Sequence, residues 1–126
     1  MVADTCNVLL AGGKERFVSF AKGLDKENGV EFSYQSSGAA VLEALAQGGW
    51  QLVAIDEKLE DMTGLALLNR IAEQHPFVNT ALVSTLGKKD FHEETEGLGV
   101  LLKLPSPPDA EAAARLLAHY RSIWGK

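Results

Sequence analysis

The chain has 126 residues, 46% of them apolar, with a formal charge of −5 and a pI near 5.1. That length supports one domain with its own core, and the acidic balance argues against general nucleic-acid binding, which needs a cationic face. A single cysteine, Cys6, excludes an internal disulfide and a cysteine-rich zinc site, and no apolar run reaches membrane-spanning length.

The opening residues, MVADTCNVLLAGG, carry no basic segment before their short apolar patch, so no secretory leader is expected and a cytoplasmic location is. Cys6 reads as a small buried thiol at the start of the first strand. Val8 to Ala11 is apolar and ends in Gly12-Gly13, a strand followed by a tight turn. From Arg16 to Leu24, the residues Phe17, Phe20, Ala21 and Leu24 fall on one helical face. Glu27-Asn28-Gly29 is turn chemistry, after which Val30, Phe32 and Tyr34 alternate as in a strand. Ser36 or Ser37 can cap a helix from Gly38 to Ala46, which Gly48-Gly49 stops.

The central stretch runs QLVAIDEKLEDMTGLALLNRI from Gln51 to Ile71. Leu52 to Ile55 suits a buried strand that breaks off at Asp56, and Leu65, Leu67, Leu68 and Ile71 recur at helical spacing. His75-Pro76 ends that helix, because proline disfavours helical geometry in the residue before it. Thr80 to Ser84 reads as a fourth strand and the polar stretch from Gly87 to Gly97 as a weak helix. Val100 to Leu102 forms a fifth strand, and Pro108 opens a last helix through Trp124. Five alternations of strand and helix with short connections predict an α/β fold with a parallel sheet and helices on both faces. No linker or repeat divides residues 1–126, so a single domain is expected, one that can belong to a longer signalling protein. Asp56 then stands at the carboxyl end of a buried strand, where such sheets place their binding crevice.

The spelling Asp-x-x-Leu-x-Asp-Met-x-Gly-Leu-x-Leu-Leu, with Gly64 eight residues after Asp56, resembles the phospho-acceptor segment of response-regulator receiver domains of the CheY-like type. The resemblance covers essentially the whole chain. It implies a flavodoxin-like five-stranded sheet in the order 2-1-3-4-5 and a two-component signalling role. It also implies that Asp56 accepts phosphate from a histidine kinase, that Ser84, with Thr85 next in line, senses the phosphoryl group, and that Lys103 pairs with it. The family's acidic pair at the end of the first strand, which binds Mg²⁺, falls on Gly12 and Gly13.

Those glycines supply no side-chain oxygen, whereas Mg²⁺ wants oxygen ligands in near-octahedral geometry. Asp56 is then a weak metal candidate on its own, and Glu57, Glu60 and Asp61 read as a solvated acidic face. Without the metal, negative oxygens crowd the attacking carboxylate and transfer slows by orders of magnitude. Where the family has proline directly after the lysine, Leu104 intervenes before Pro105, so any cis bond is displaced or absent. Val100 stands at the family's aromatic switch position, and the short segment between Ser84 and Lys103 predicts a stunted or irregular fourth helix. The expectation is an atypical receiver that works by protein–protein contact, with phosphorylation of Asp56 weak or lost. Its partner would be a histidine kinase, a phosphotransfer protein or an output domain. No cofactor is expected beyond Mg²⁺ in the case of residual phospho-acceptance. The family's usual dimer face, around the fourth and fifth helices, is the part that departs most, and a homodimer stays open.

Two alternatives stand beside this reading. One is a functional phospho-accepting receiver with unorthodox metal ligation. The other is a flavodoxin-like domain that binds a small anion over Gly12-Gly13, near a helix N-terminus. Gly12-Gly13-Lys14 is not a phosphate loop, because Val8 stands where glycine is required and Glu15 follows the lysine. Without a phosphoryl group, Lys103 and Asp56 would form a structural ion pair. His75, His92 and His119 lack metal-ligand spacing, and Trp50 and Trp124 read as packing or interface residues. No nucleophile–base pair is visible by spacing, so an independent enzyme is not expected.

Overall fold

Two buried apolar sets alternate along the strands, and they explain why the sheet is covered on both sides. In the computed structural model, which describes residues 5–125 and side chains through residue 123, the strands are β1 (Cys6–Ala11), β2 (Val30–Gln35), β3 (Leu52–Ile55), β4 (Asn79–Val83) and β5 (Val100–Leu104). All neighbouring pairs are parallel, in the order β2-β1-β3-β4-β5, as expected. The helices are α1 (Val18–Asp25), α2 (Gly38–Ala46), α3 (Gly64–Gln74), α4 (Lys88–Glu94) and α5 (Ala110–Tyr120).

Val8, Leu10, Leu52, Ala54, Ala81 and Val83 point to one face, where Phe17, Phe20 and Leu24 meet Leu116 and Leu117 of α5. Leu9, Ala11, Val53, Ile55 and Leu82 point to the other, under Val41 and Leu45 of α2, Leu67, Leu68 and Ile71 of α3, and Phe91 of α4. Each such Val, Leu, Ile or Phe side chain contributes roughly 1.5–3 kcal/mol by leaving water. Gly23 lets α1 and α5 touch, since a Cβ there would lie 2.6 Å from the Ala110 carbonyl oxygen. Cys6 is buried at the head of β1 as expected, and burial pushes its thiol pKa up.

Several boundaries differ from the sequence reading. A 3-10 turn, Lys14–Phe17, precedes α1, so Arg16 sits before the helix proper. Helix α5 opens on Asp109, whose carboxylate accepts the Ala112 amide at 2.8 Å, and Pro108 lies outside it. It gives way to a π-type turn over Arg121–Gly125, and the packing expected of Trp124 lies outside the described side chains. Strand β5 continues through Lys103 to Leu104, whose carbonyl accepts the Ser84 amide at 3.1 Å. The fourth helix is short as expected, with seven residues against eleven in α3. Among the described residues, no helix is long and apolar enough to cross a membrane.

Candidate functional site

Because β1 and β3 run side by side with Ala11 opposite Ile55, the residues that leave their carboxyl ends share one crevice. The Asp56 amide donates to the Ala11 carbonyl at 2.9 Å, which continues the ladder by one step and leaves the side chain at the sheet's edge. Asp56 is 4% exposed. Behind it, Gly64 packs so closely that a Cβ there would lie 2.0 Å from the Asp56 carbonyl oxygen. The glycine noted eight residues downstream therefore allows the start of α3 to touch the strand end.

The carboxylate is held by a residue the sequence reading did not single out. Arg16 donates from Nε to Asp56 Oδ2 and from Nη2 to Oδ1, both at 2.9 Å, a two-pronged match of guanidinium to carboxylate. The same Nη2 donates to Ser106 Oγ at 3.1 Å and lies 3.7 Å from Glu57 Oε1. The Ser106 hydroxyl donates in turn to Glu57 Oε1 at 2.9 Å, and the Glu57 amide donates to Asp56 Oδ1 at 2.8 Å. The hydrogen bond to Asp56 raises the Arg16 pKa further, helped by the charges of Asp56 and Glu57 and opposed by burial, so the cation is permanent. Removing the partner of a fully buried carboxylate costs about 3–5 kcal/mol, and less here because the Arg16 side chain is 36% exposed.

Lys103 does not take the place expected for it. With β5 running to Leu104, Lys103 is a strand residue whose side chain lines a cavity of about 700 Å³ beside α4, together with Lys88, Lys89 and His92. Among the described residues it forms no ion pair, and the expected Lys103–Asp56 pair is replaced by Arg16–Asp56. The chain past the strand supplies Ser106, and the cis peptide bond is displaced to Ser106-Pro107. Ser84 turns its hydroxyl to the Leu86 amide at 3.0 Å. Ser84 and Thr85 line a separate cavity of about 200 Å³ that shares only Glu57 with the crevice.

The acidic loop residues divide. Asp61 accepts the Gly38 and Ala39 amides at 2.7 and 3.1 Å and so caps α2 across the crevice, alongside Ser37, which accepts the Ala40 amide. Those backbone hydrogen bonds hold its carboxyl below the ordinary carboxylate value. Glu60 remains exposed. At the acidic-pair positions, Gly12 has φ of 150°, and a Cβ there would lie 2.8 Å from Asp56 Cβ and 3.0 Å from Phe17 Cε2. Gly13 has ordinary extended geometry and opens the 3-10 turn. The Mg²⁺ that the receiver resemblance implies does not fit these residues. Two glycines give no side-chain oxygen, both Asp56 oxygens are bonded, and the described residues hold no cluster of three His, Cys, Asp or Glu suited to a metal.

No protein-family model matches the chain. The DNA-binding transcriptional regulator NtrC of Escherichia coli K12 is 32% identical over 89 residues, 68% of this chain but only 19% of NtrC. The chain thus matches about a fifth of that relative's length. The receiver domain of an HD domain-containing protein from Pseudomonas fluorescens Pf-5 superimposes with a TM-score of 0.76 at 21% identity, covering 98% of this chain and 94% of that one. The receiver domain of the Francisella response regulator 1452 gives 0.77 at 21%, covering 94% and 99%. The chain has the CheY-like fold of response-regulator receiver domains.

Proposed function

We propose that the chain is a two-component signalling receiver that acts through contact with a protein partner, phosphoryl transfer to Asp56 being weak or lost. The observation that carries this is the two-pronged Arg16–Asp56 pair, because a carboxylate with both oxygens engaged is a poor nucleophile. The glycines at positions 12 and 13 support it, since nothing there gathers a divalent cation to neutralise an incoming phosphoryl group. The partner is a histidine kinase, a phosphotransfer protein or an output domain. NtrC, of which the matched region is under a fifth, is a DNA-binding regulator, which favours an output domain in a longer protein. The domain itself catalyses no independent reaction and works in the cytoplasm.

Intact mass after incubation with acetyl phosphate and Mg²⁺ tests this directly. The expected result is no added phosphate. A phosphate mass that disappears in Asp56→Asn would overturn it in favour of the phospho-accepting alternative. Ser84 and Thr85, whose cavity adjoins the crevice at Glu57, would then act as the sensing hydroxyls.

A further inference from the structure

We propose that Arg16 is a resident counter-ion, a guanidinium that takes the place of the divalent cation implied by the receiver resemblance, with Glu57 and Ser106 positioning it. The inference deepens the reading of the crevice given above and rests on it. Oxygens from three side chains converge on one nitrogen. Asp56 Oδ1 lies 2.9 Å, Ser106 Oγ 3.1 Å and Glu57 Oε1 3.7 Å from Arg16 Nη2. Such an oxygen cage is what a hard cation seeks, and here it closes around a covalently attached one. The three contributing segments follow β1, β3 and β5, so the cage forms only where the strand ends assemble.

The neighbouring backbone points the same way. A carboxylate at position 12 is excluded while Asp56 and Phe17 stay in place, because its Cβ would already collide with both and the φ of 150° disfavours any side chain. The crevice therefore cannot be returned to an ordinary metal site by that substitution alone. Charge follows too. One guanidinium facing Asp56 and Glu57 leaves a net −1, which repels a phosphoryl donor, yet it hydrogen-bonds both Asp56 oxygens without metal. The domain's resting state then depends on Arg16 and is indifferent to divalent ions.

Amide NMR with Mn²⁺ alone as a paramagnetic probe, on the wild type, Arg16→Gln and Arg16→Lys, tests this. The wild type and Arg16→Lys should show no selective broadening at Asp56, Glu57 and Ser106 at millimolar Mn²⁺. Arg16→Gln removes a unit charge beside two carboxylates and should show saturable broadening there, at least about tenfold tighter than the wild type. Equal broadening in wild type and Arg16→Gln, or none in a folded Arg16→Gln, would overturn the inference. Should Arg16→Gln not fold, the wild-type Arg16 Nε–H signal decides. Slow exchange with solvent, unmoved by Mg²⁺ and lost in Asp56→Asn, supports the counter-ion, and free exchange overturns it. Phosphate mass on a wild type whose Nε–H is protected overturns only the functional reading. No mass with a freely exchanging Nε–H overturns only the resident counter-ion.

Discussion

Helices α3 and α4 lie on the same face of the sheet, yet α3 buries Gly64, Leu67, Leu68 and Ile71 whereas α4 buries Phe91 alone. Thr63 caps α3 through its hydroxyl on the Ala66 amide, while Gly87 gives α4 no side-chain cap. The groove lined by Val100, Lys103 and α4, about 700 Å³, is the roomiest among the cavities described, whereas the one that Leu65 of α3 lines is about 200 Å³. Most helical stability comes from packing an apolar face, so α3 shares the stability of the whole domain and α4 has little beyond its own. We therefore expect α3 to open only with the whole sheet and α4 to open locally.

The largest test of that contrast is Gly64→Ala. Alanine is the better helix former, but its Cβ would meet the Asp56 carbonyl at 2.0 Å and Leu82 Cδ1 at 3.0 Å. We expect a loss of about 3 kcal/mol or more in urea denaturation, and a neutral result would mean that strand and helix are not locked together. Leu68→Ala should cost about 2–5 kcal/mol and lower hydrogen-exchange protection throughout the sheet. Phe91→Ala should fall below the roughly 3–5 kcal/mol usual for such a truncation, with exchange loss confined to α4. Equal spread from both variants would erase the distinction. Thr63→Ala should cost about 1 kcal/mol, whereas Gly87→Asp, at an extended position with open space around it, should gain a few tenths by adding the cap α4 lacks.

The smallest effect is in acid. Asp61 has a folded pKa lowered from 3.8 by the amides it accepts, so its support of α2 is complete above that value and disappears as pH falls through the lower folded one. Asp61→Asn keeps an acceptor but does not titrate, and should flatten that part of the stability–pH curve. An unchanged acid limb would mean the cap is not formed in solution.

The sheet was legible because its strands are short apolar runs closed by turn residues, and a four-residue run such as Leu52–Ile55, buried on both faces, has few other uses. Asp56 was legible for the same reason, as the polar residue that ends the run. Its partner was not. Arg16 lies 40 residues away, brought in by the adjacency of β1 and β3, and Ser106 lies 90 residues from Arg16, brought in by the chain past β5. That adjacency is itself implied by the 2-1-3-4-5 order, so a cation just past the first strand was a signal within reach. Lys103 was assigned by resemblance, with the fifth strand read as ending at Leu102, whereas β5 runs on to Leu104. At a sheet edge beside a thinly packed α4, however, a lysine can stay in the ladder with its ammonium in solvent.

The knot of Arg16, Asp56, Glu57 and Ser106 also bears on the order in which the chain assembles. Contacts across such separations carry the entropy of closing long loops before they return any energy, so we expect them in the final steps of folding. Interactions absent from the folding transition state act on the unfolding rate alone. Arg16→Gln should therefore leave the refolding arm of a chevron in place and steepen the loss of the native state. On that outcome the crevice is a late-closing clasp that sets how long the domain lasts once folded.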